Sequence, residues 1–268
     1  MFLVHLIVYL CESNKQTMPR IYTSIILSFL LISSLQAQNN ERATEIFEEV
    51  DARRSKISYE QTDMQMVIYN SKGNTRNRTI SSFSFNEGSQ EKSLLIFEEP
   101  ANVRGTGFLT LSDDGNEVQK LYLPALGRIQ TITASQKADR FMGSDFTYED
   151  LGDQNPDDYE FELIEENENT AILRAVKTEN SQYAYIKFYI NTSQYSLERA
   201  EYFNEDDEMI KRLEAENFTN VDANIWRANK MTMYDLVTDR KTELIWSNRT
   251  INQSIPGWRF TERGLKRG

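Results

Sequence analysis

Cysteine and histidine are almost absent from this sequence of 268 residues. The single cysteine is Cys11 and the single histidine is His5, so both lie close to the N-terminus. Once such a segment is removed as a leader, the remaining chain can form no disulfide, no cysteine or histidine metal site, and no nucleophile activated by histidine. We therefore expect no metal, no cofactor and no catalytic site.

Positive charge is also scarce, because 30 Lys and Arg residues stand against 41 Asp and Glu residues and give a net charge of −11. An acidic chain is repelled by nucleic-acid phosphates, so we expect no nucleic-acid partner. Residues 104–107, Arg-Gly-Thr-Gly, lack the spacing and the lysine of a phosphate-binding loop. This short motif is instead typical of a tight turn that only glycine tolerates.

An apolar run behind Arg20 is shorter than the roughly 20 residues that a membrane-spanning helix needs. It ends in a stretch of small residues at 33–37, Ser-Ser-Leu-Gln-Ala. This pattern favours a secretory signal peptide at residues 1–37 over a membrane anchor. Met18 is the natural start of such a leader, so residues 1–17 are either an upstream start-site artefact or an unusually long leader.

The remaining chain, residues 38–268, is expected to be a single domain, because no linker, proline-rich tract or repeat divides it. Gln38 would be its first residue. A cysteine there would be the usual site of a lipid anchor, so the pattern predicts an unanchored, soluble protein in the periplasm or outside the cell.

Apolar spacing predicts one helix followed by a series of strands. Asn39 or Asn40 can cap a helix of about three turns whose apolar positions recur at helical spacing: Ala43, Ile46, Phe47 and Val50. From Met64 the period changes to two, and strands separated by turn residues continue to Ile251. This spacing predicts an antiparallel meander, with a loop or short helix at residues 133–141 and a last short helical turn at residues 261–267.

Acidic residues cluster in and after the stretch 140–151, at Asp145, Glu149, Asp150 and Asp153. Two acids that face one cleft are the machinery of glycoside hydrolysis. Such clusters also arise by chance in an acidic chain, where they are usually solvated. The acids that follow, Asp157 and Asp158, lack the spacing of a calcium loop.

The chain is rich in large apolar side chains, with 14 Phe, 13 Tyr, 8 Met and 3 Trp. In some predicted strands consecutive residues are all apolar, so that both faces of the strand are apolar, as at residues 94–97, Leu-Leu-Ile-Phe. Either the core of a β-sandwich or a curved sheet with a partly unfilled hydrophobic pocket explains this pattern. The pattern alone favours the sandwich core.

Several motifs together resemble the outer-membrane lipoprotein-sorting protein family, the LolA-like periplasmic carriers. They are Phe97-x-x-Pro100, Arg104-Gly-Thr-Gly-Phe-Leu109, Leu121-Tyr-Leu-Pro-Ala-Leu126, Phe141-Met-Gly-Ser-Asp-Phe-Thr-Tyr-Glu-Asp150, Lys241-Thr242 and Phe260-Thr261 to Leu265. The similarity covers essentially the whole chain after the leader, and the Phe-Met-Gly-Ser-Asp-Phe block is its most specific part.

The resemblance implies a mainly β fold with an α lid, in which a curved antiparallel sheet forms an incomplete β-barrel around helices. It implies a soluble carrier, and no enzyme, that shelters acyl chains of a lipoprotein or another lipid and moves them toward the outer membrane. The implied partners are this cargo, an inner-membrane export system and an outer-membrane acceptor.

Apolar residues in or near the matching motifs are the predicted lipid contacts: Met64, Met66, Leu95, Phe97, Phe108, Leu121, Leu123, Phe141, Met142, Phe146 and Tyr148. The predicted lid helix contributes Ile46, Phe47 and Val50. In this interpretation the rings of residues 141–148 form an apolar entrance, and the acids between them are turn and rim groups that fix a loop.

Two alternatives remain open at this point. The number of strands and the many Tyr and Phe residues also suit an integral outer-membrane β-barrel, although an opening helix and a basic C-terminus, Lys266-Arg267-Gly268, are atypical of one. The second alternative is a hydrolase that uses the acids at 145–153.

Overall fold

The computed structural model describes the backbone of residues 20–267, with side chains from residue 38 onward. The chain divides into two compact units, residues 1–39 and residues 40–268. Residues 1–19, with Cys11 and His5, lie outside the described residues, and the signal peptide stays a prediction. Everything that follows concerns residues 40–268, apart from the bounds of the first helix.

The described residues form two α-helices and fifteen strands. The helices are α1 (Arg20–Ser55) and α2 (Glu262–Arg267). The strands are β1 (Tyr59–Tyr69), β2 (Thr75–Glu87), β3 (Gln90–Glu99), β4 (Gly107–Asp113), β5 (Asn116–Leu123), β6 (Arg128–Thr131), β7 (Tyr159–Glu166), β8 (Thr170–Lys177), β9 (Tyr185–Asn191), β10 (Ser196–Phe203), β11 (Met209–Glu216), β12 (Thr219–Asp222), β13 (Ile225–Arg227), β14 (Lys230–Asp235) and β15 (Arg240–Ile251). The stretch predicted as a loop or short helix contains two short 3₁₀ turns, Ala134–Gln136 and Phe141–Gly143.

Thirteen strands form one antiparallel sheet, as predicted, but it is not one unbroken meander, because the consecutive strands β6 and β7 lie at its opposite ends. Their order is β6-β5-β4-β3-β2-β1-β15-β14-β11-β10-β9-β8-β7. Strands β6 and β7 are the two ends of this order, so the sheet is not closed into a barrel. Strands β1 and β15 join its two halves, because Met64 lies opposite Trp246 and Met66 opposite Leu244.

The sequence predicts one strand over residues 225–235, and the structure shows two. Strand β13 pairs with β12 in a separate two-stranded ribbon, whereas β14 pairs with β11 and β15 in the main sheet. Asn229 lies between them and donates its backbone N–H to carbonyls of Glu216 and Asn217. The sequence gives little sign of this change of partner, because residues 226–230 contain no glycine or proline that would mark a turn.

Helix α1 corrects the predicted cap. Because the helix begins at Arg20, Asn39 and Asn40 are interior residues and not its N-terminus. No glycine or proline interrupts residues 20–55, and an interior asparagine costs only about 0.7 kcal/mol. The apolar positions are placed as predicted, since Ala43, Ile46 and Phe47 are all buried.

The half of the sheet from β1 to β6 is covered on both faces. Leu95 and Phe97 belong to the large core cluster on its inner face, together with Ile46 and Phe47 of α1. Leu94 and Ile96 belong to a second cluster on its outer face. The C-terminal segment covers this outer face with three buried residues: Ile255, Phe260 and Leu265. Strand β3 is therefore apolar on both faces, because its inner face packs in the large core cluster and its outer face packs under the C-terminal segment.

Candidate functional site

A cavity of about 510 Å³ is lined by α1 and by strands from both halves of the sheet. This volume lies within the range of roughly 300–1,000 Å³ that is typical of small-molecule sites. Helix α1 contributes Phe47 and Val50, followed by the charged residues Asp51, Arg53 and Arg54. The loop at residues 149–154 also contributes to the lining.

The wall on the β9–β15 side is mainly apolar, although Ser196, Tyr202 and Arg227 also line it. Its apolar residues come from consecutive inner-face positions of five strands: Ile186, Phe188, Ile190, Leu197, Leu213, Met231 and Trp246. Phe47 joins this wall to the helix, because its ring centroid lies 5.1 Å from that of Phe188 and 4.7 Å from that of Phe161. Aromatic pairs at such distances add about 0.5–1.5 kcal/mol each to the energy of apolar burial.

The opposite wall, on strands β1–β4, changes from apolar to polar along the strands. A row of residues that lie directly opposite one another crosses the strands: Glu60, Ser84, Ser93, Thr110 and Gln119. The neighbouring row on the same face, two residues away along each strand, consists of Thr62, Ser82, Leu95, Phe108 and Leu121. The neighbouring row in the opposite direction, again two residues away along each strand, consists of Asn86, Glu91, Ser112 and Glu117.

A group of ion pairs lies at the polar end of the cavity, around Arg54 at the end of α1. Its guanidinium binds Asp51 at 2.7 Å and Glu91 of β3 at 2.7 Å, and it lies 3.6 Å from Asp153. Burial raises the pKa of the Glu91 carboxyl, and the neighbouring Arg54 opposes this shift. These pairs connect the end of the helix to the sheet and to the loop that follows residue 149.

Two tyrosines and a lysine lie beneath the loop. The Tyr183 hydroxyl donates to Asp150 at 2.7 Å, and Lys211 Nζ lies 3.2 Å from the same carboxylate. Burial, followed by the nearby Asp150, raises the pKa of both Tyr183 and Tyr202 well above the usual value. Both phenols are therefore neutral at physiological pH, and the network holds the loop in place.

The stretch at residues 140–151 is fixed by its acids, as predicted, but from inside the protein and not from an exposed rim. Asp145 is 0% exposed, and its carboxylate accepts a hydrogen bond of 2.7 Å from Thr242 Oγ1. Arg140 binds the same carboxylate, and Arg240 Nε lies 3.0 Å from it. Two of the motifs noted in the sequence, the block at 141–150 and Lys241-Thr242, therefore meet at Asp145.

Glu149 and Asp150 are also bound by neighbouring groups. Glu149 accepts a hydrogen bond of 3.2 Å from the backbone N–H of Gln182, and the Ser181 hydroxyl donates to it as well. Asp150 accepts a hydrogen bond of 2.7 Å from the backbone N–H of Thr147. These contacts give the acids a structural role in the loop.

The structure places the predicted lipid contacts in the packed core and not along the cavity. Eight of them are buried in the inner cluster: Met64, Met66, Phe97, Phe108, Leu121, Phe141, Phe146 and Tyr148. Leu95, Leu123 and Met142 are partly buried against the same cluster. The ring of Phe141 packs on those of Phe97, Phe108 and Tyr148 with centroids 5.0–5.9 Å apart. Of the predicted lid residues, Phe47 and Val50 line the cavity and Ile46 lies in the core.

Sequence reasoning missed the apolar wall of the cavity. Ile186, Phe188 and Ile190 alternate along β9 as they would in any strand with one buried face. A filled core and a cavity wall have the same alternation, so the sequence carries no signal that separates them. The predicted contacts lie in or near the motifs, and these residues belong to the packed end of the inner face.

The described part of the chain lacks two further features. No group of three or more acidic, histidine or cysteine side chains there is placed to hold a metal ion. Over the same residues, no helix is both long enough and apolar enough to cross a bilayer.

Solved structures share this fold. A domain from Vibrio parahaemolyticus, described as an outer membrane lipoprotein-sorting protein domain, is 29% identical, with a TM-score of 0.81, covering 85% of this chain and 100% of that one. A DUF1329 family protein from Desulfovibrio piger is 23% identical, with a TM-score of 0.79, covering 85% of this chain and 99% of that one. A LolA superfamily protein from Nitrosomonas europaea is 19% identical, with a TM-score of 0.64, covering 82% of this chain and 97% of that one.

These likenesses confirm the resemblance noted in the sequence. Among curated proteins, none matches the chain significantly. A family model described as "-like: Uncharacterized protein" matches residues 89–267, which is more than half of the chain. The chain therefore belongs to this family of uncharacterized proteins, and its structural neighbours are lipoprotein-sorting, DUF1329 and LolA superfamily proteins.

Proposed function

We propose that this protein is a periplasmic carrier that binds acyl chains of a lipoprotein or another lipid and moves them toward the outer membrane. The observation that carries the proposal is the cavity between α1 and the apolar wall of β9–β15, in a fold shared with a lipoprotein-sorting domain. Each buried CH₂ group of a chain contributes about 0.8 kcal/mol, so an apolar wall of this kind is enough to hold a lipid.

Release of the cargo requires a part that can move, and we assign this role to residues 40–55 of α1. Beyond its buried face, this segment is held to the sheet by ion pairs with partly exposed members, such as Arg42 with Glu166 at 2.7 Å and Arg54 with Glu91 at 2.7 Å. Exposed pairs of this kind contribute only about 0–1 kcal/mol each. The segment can therefore be displaced at a moderate cost, as a lid must be.

The cargo would be received from an inner-membrane export system and passed to an outer-membrane acceptor. This route requires the protein to be free in the periplasm. Recovery of the protein in the soluble fraction after osmotic shock is the expected result. Recovery only in the outer-membrane fraction would support the alternative of an integral barrel.

Lipid uptake tests the proposal directly. The full-length protein, purified and stripped of lipid, is expected to bind a fluorescent fatty acid at micromolar concentration. Val50→Trp should weaken this binding at least about tenfold, a loss of ~1.4 kcal/mol, because the larger ring fills the cavity from the helix.

Val237→Trp is the matched control, because Val237 is 73% exposed and lies outside the cavity lining. It should bind like the original protein, and thermal unfolding of both variants checks that they are folded. No uptake by the original protein, or equal binding by the two tryptophan variants, would count against the carrier.

A further inference from the structure

The two walls of the cavity differ in chemistry. The wall of β9–β15 is mainly apolar, whereas the wall of β1–β4 carries small hydroxyl side chains among the residues that line the cavity: Thr62, Ser82, Ser84, Ser93, Thr110 and Ser112. A hydrocarbon gains nothing from hydroxyl groups. A cavity built only for acyl chains would have apolar side chains on both walls, as the packed end of the same strands does.

One of these hydroxyls has no partner. Thr110 is 6% exposed and lines the cavity, and its Oγ1 makes no hydrogen bond within the described part of the protein. A buried hydroxyl without a partner costs about 1–3 kcal/mol. Its cross-strand neighbour Gln119 donates from Nε2 to the Tyr148 carbonyl at 2.9 Å, while its Oε1 also has no partner in the same part of the chain.

Charged groups at the cavity disfavour an anionic ligand at this wall. Glu91 and Asp153, beside the hydroxyl row, share Arg54 with Asp51, so the acids outnumber the base. Glu60, at the end of the row, is shared by Arg227 at 3.1 Å and Arg249 at 2.9 Å, and the residues that line the cavity as a whole contain six acids against four bases. An uncharged group that both donates and accepts hydrogen bonds suits the row best.

We propose that the cavity takes a lipid together with its uncharged, hydroxyl- and ester-bearing head, of the acylglycerol type, with the chain on the apolar wall and the head on the row Ser84, Ser93 and Thr110. This inference rests on the carrier function proposed above and names the class of its ligand. Thr110 Oγ1 has almost no exposed surface in the lipid-free protein, so its side chain must rotate toward the cavity to bind the head, and this hydrogen bond gives the bound lipid a fixed orientation.

Displacement of a bound fluorescent fatty acid from the full-length protein tests this inference. The three competitors have equal chain length and are a monoacylglycerol, a fatty acid and an alkane without a head. The monoacylglycerol is expected to compete at a concentration at least about fivefold lower than either of the others, which is the effect of one hydrogen bond. Equal competition by all three would overturn the inference while leaving the carrier function intact.

Two variants of one residue provide the structural control. Thr110→Val keeps the shape but removes the hydroxyl, and it should abolish the preference for monoacylglycerol without weakening alkane binding. It should also leave the lipid-free protein equally or more stable to heat, because an unpaired polar group is removed. Thr110→Ser keeps the hydroxyl and should keep the preference. An unchanged preference in Thr110→Val, or its loss in Thr110→Ser, would overturn the inference, whereas failure of the original protein to bind any lipid would overturn the carrier function itself.

Discussion

Replacement of Asp145 by alanine is expected to lower the free energy of unfolding by about 3 kcal/mol. The substitution leaves Arg240 without a carboxylate partner and Arg140 with Asp235 alone, and it removes the acceptor of the Thr242 hydroxyl. Since 1 kcal/mol corresponds to roughly 2–4 °C in a domain of this size, the melting temperature should fall by about 10 °C. Urea unfolding of the full-length protein measures the change.

Two further variants show which part of the effect is due to charge. Asp145→Asn keeps the shape and an acceptor for Thr242, so its loss of stability should be smaller than that of alanine. Asp206→Ala removes an exposed acid and should change stability by no more than about 0.5 kcal/mol. A loss below about 1 kcal/mol for Asp145→Ala would mean that water replaces the carboxylate at the partly exposed arginines, as it does for surface ion pairs.

Asp145 also shows what the sequence could reveal about the site. The block at residues 141–150 stood out by its composition, and its acids were correctly expected to fix a loop. Their burial could not be predicted, because the partners Arg240 and Thr242 are almost a hundred residues away in the chain. A carboxylate on a turn is usually solvated, and only the tertiary contact overrides this tendency.

The strands were predictable for a local reason. An antiparallel strand with one buried face alternates in sequence, and turns such as residues 113–116, Asp-Asp-Gly-Asn, separate one strand from the next. Helix α1 was predicted with its buried face correct but its start wrong. Asn39 has the chemistry of a cap, yet a cap is required only where the helix begins.

The residues that line the cavity could not be predicted, because a filled core and a cavity wall produce the same apolar pattern. Leu95 and Phe97 pack in a filled core, whereas Ile186 and Phe188 line a cavity, and both pairs occupy alternating inner positions of a strand. The polar row was visible only as scattered serines and threonines. The register of β1–β4 places Ser84, Ser93 and Thr110 directly opposite one another on neighbouring strands, and this alignment makes them one polar wall of the cavity.

The glycine pair at residues 105 and 107 was predicted to form a tight turn, and the structure shows two different requirements. Gly105 has a φ of 75°, a left-handed conformation that favours glycine. Gly107 is instead needed for close packing, because a Cβ at this position would lie 2.6 Å from the carbonyl oxygen of Leu265. The C-terminal segment thus contacts the outer face of the sheet at a place that tolerates no side chain.

Gly264→Ala is expected to disrupt the packing within this C-terminal segment. A Cβ at Gly264 would lie 1.9 Å from the carbonyl oxygen of Arg259 and 2.5 Å from its carbonyl carbon, both backbone atoms that a side-chain rotation cannot move. The turn at Gly257–Phe260 and helix α2 must therefore separate, which withdraws Phe260 and Leu265 from the outer cluster. The expected loss of stability is about 3 kcal/mol, at the upper end of overpacking effects.

Gly257→Ala is the matched control within the same segment, because a Cβ at Gly257 would meet no atom within 4 Å. It should unfold in urea like the original protein. Limited trypsin digestion followed by mass spectrometry should show early cleavage after Arg263 and Lys266 in Gly264→Ala alone, since α2 no longer protects these sites. Equal stability and equal digestion of the two alanine variants would show that the C-terminal segment does not depend on the close approach at Gly264, and that the outer face is covered in another way.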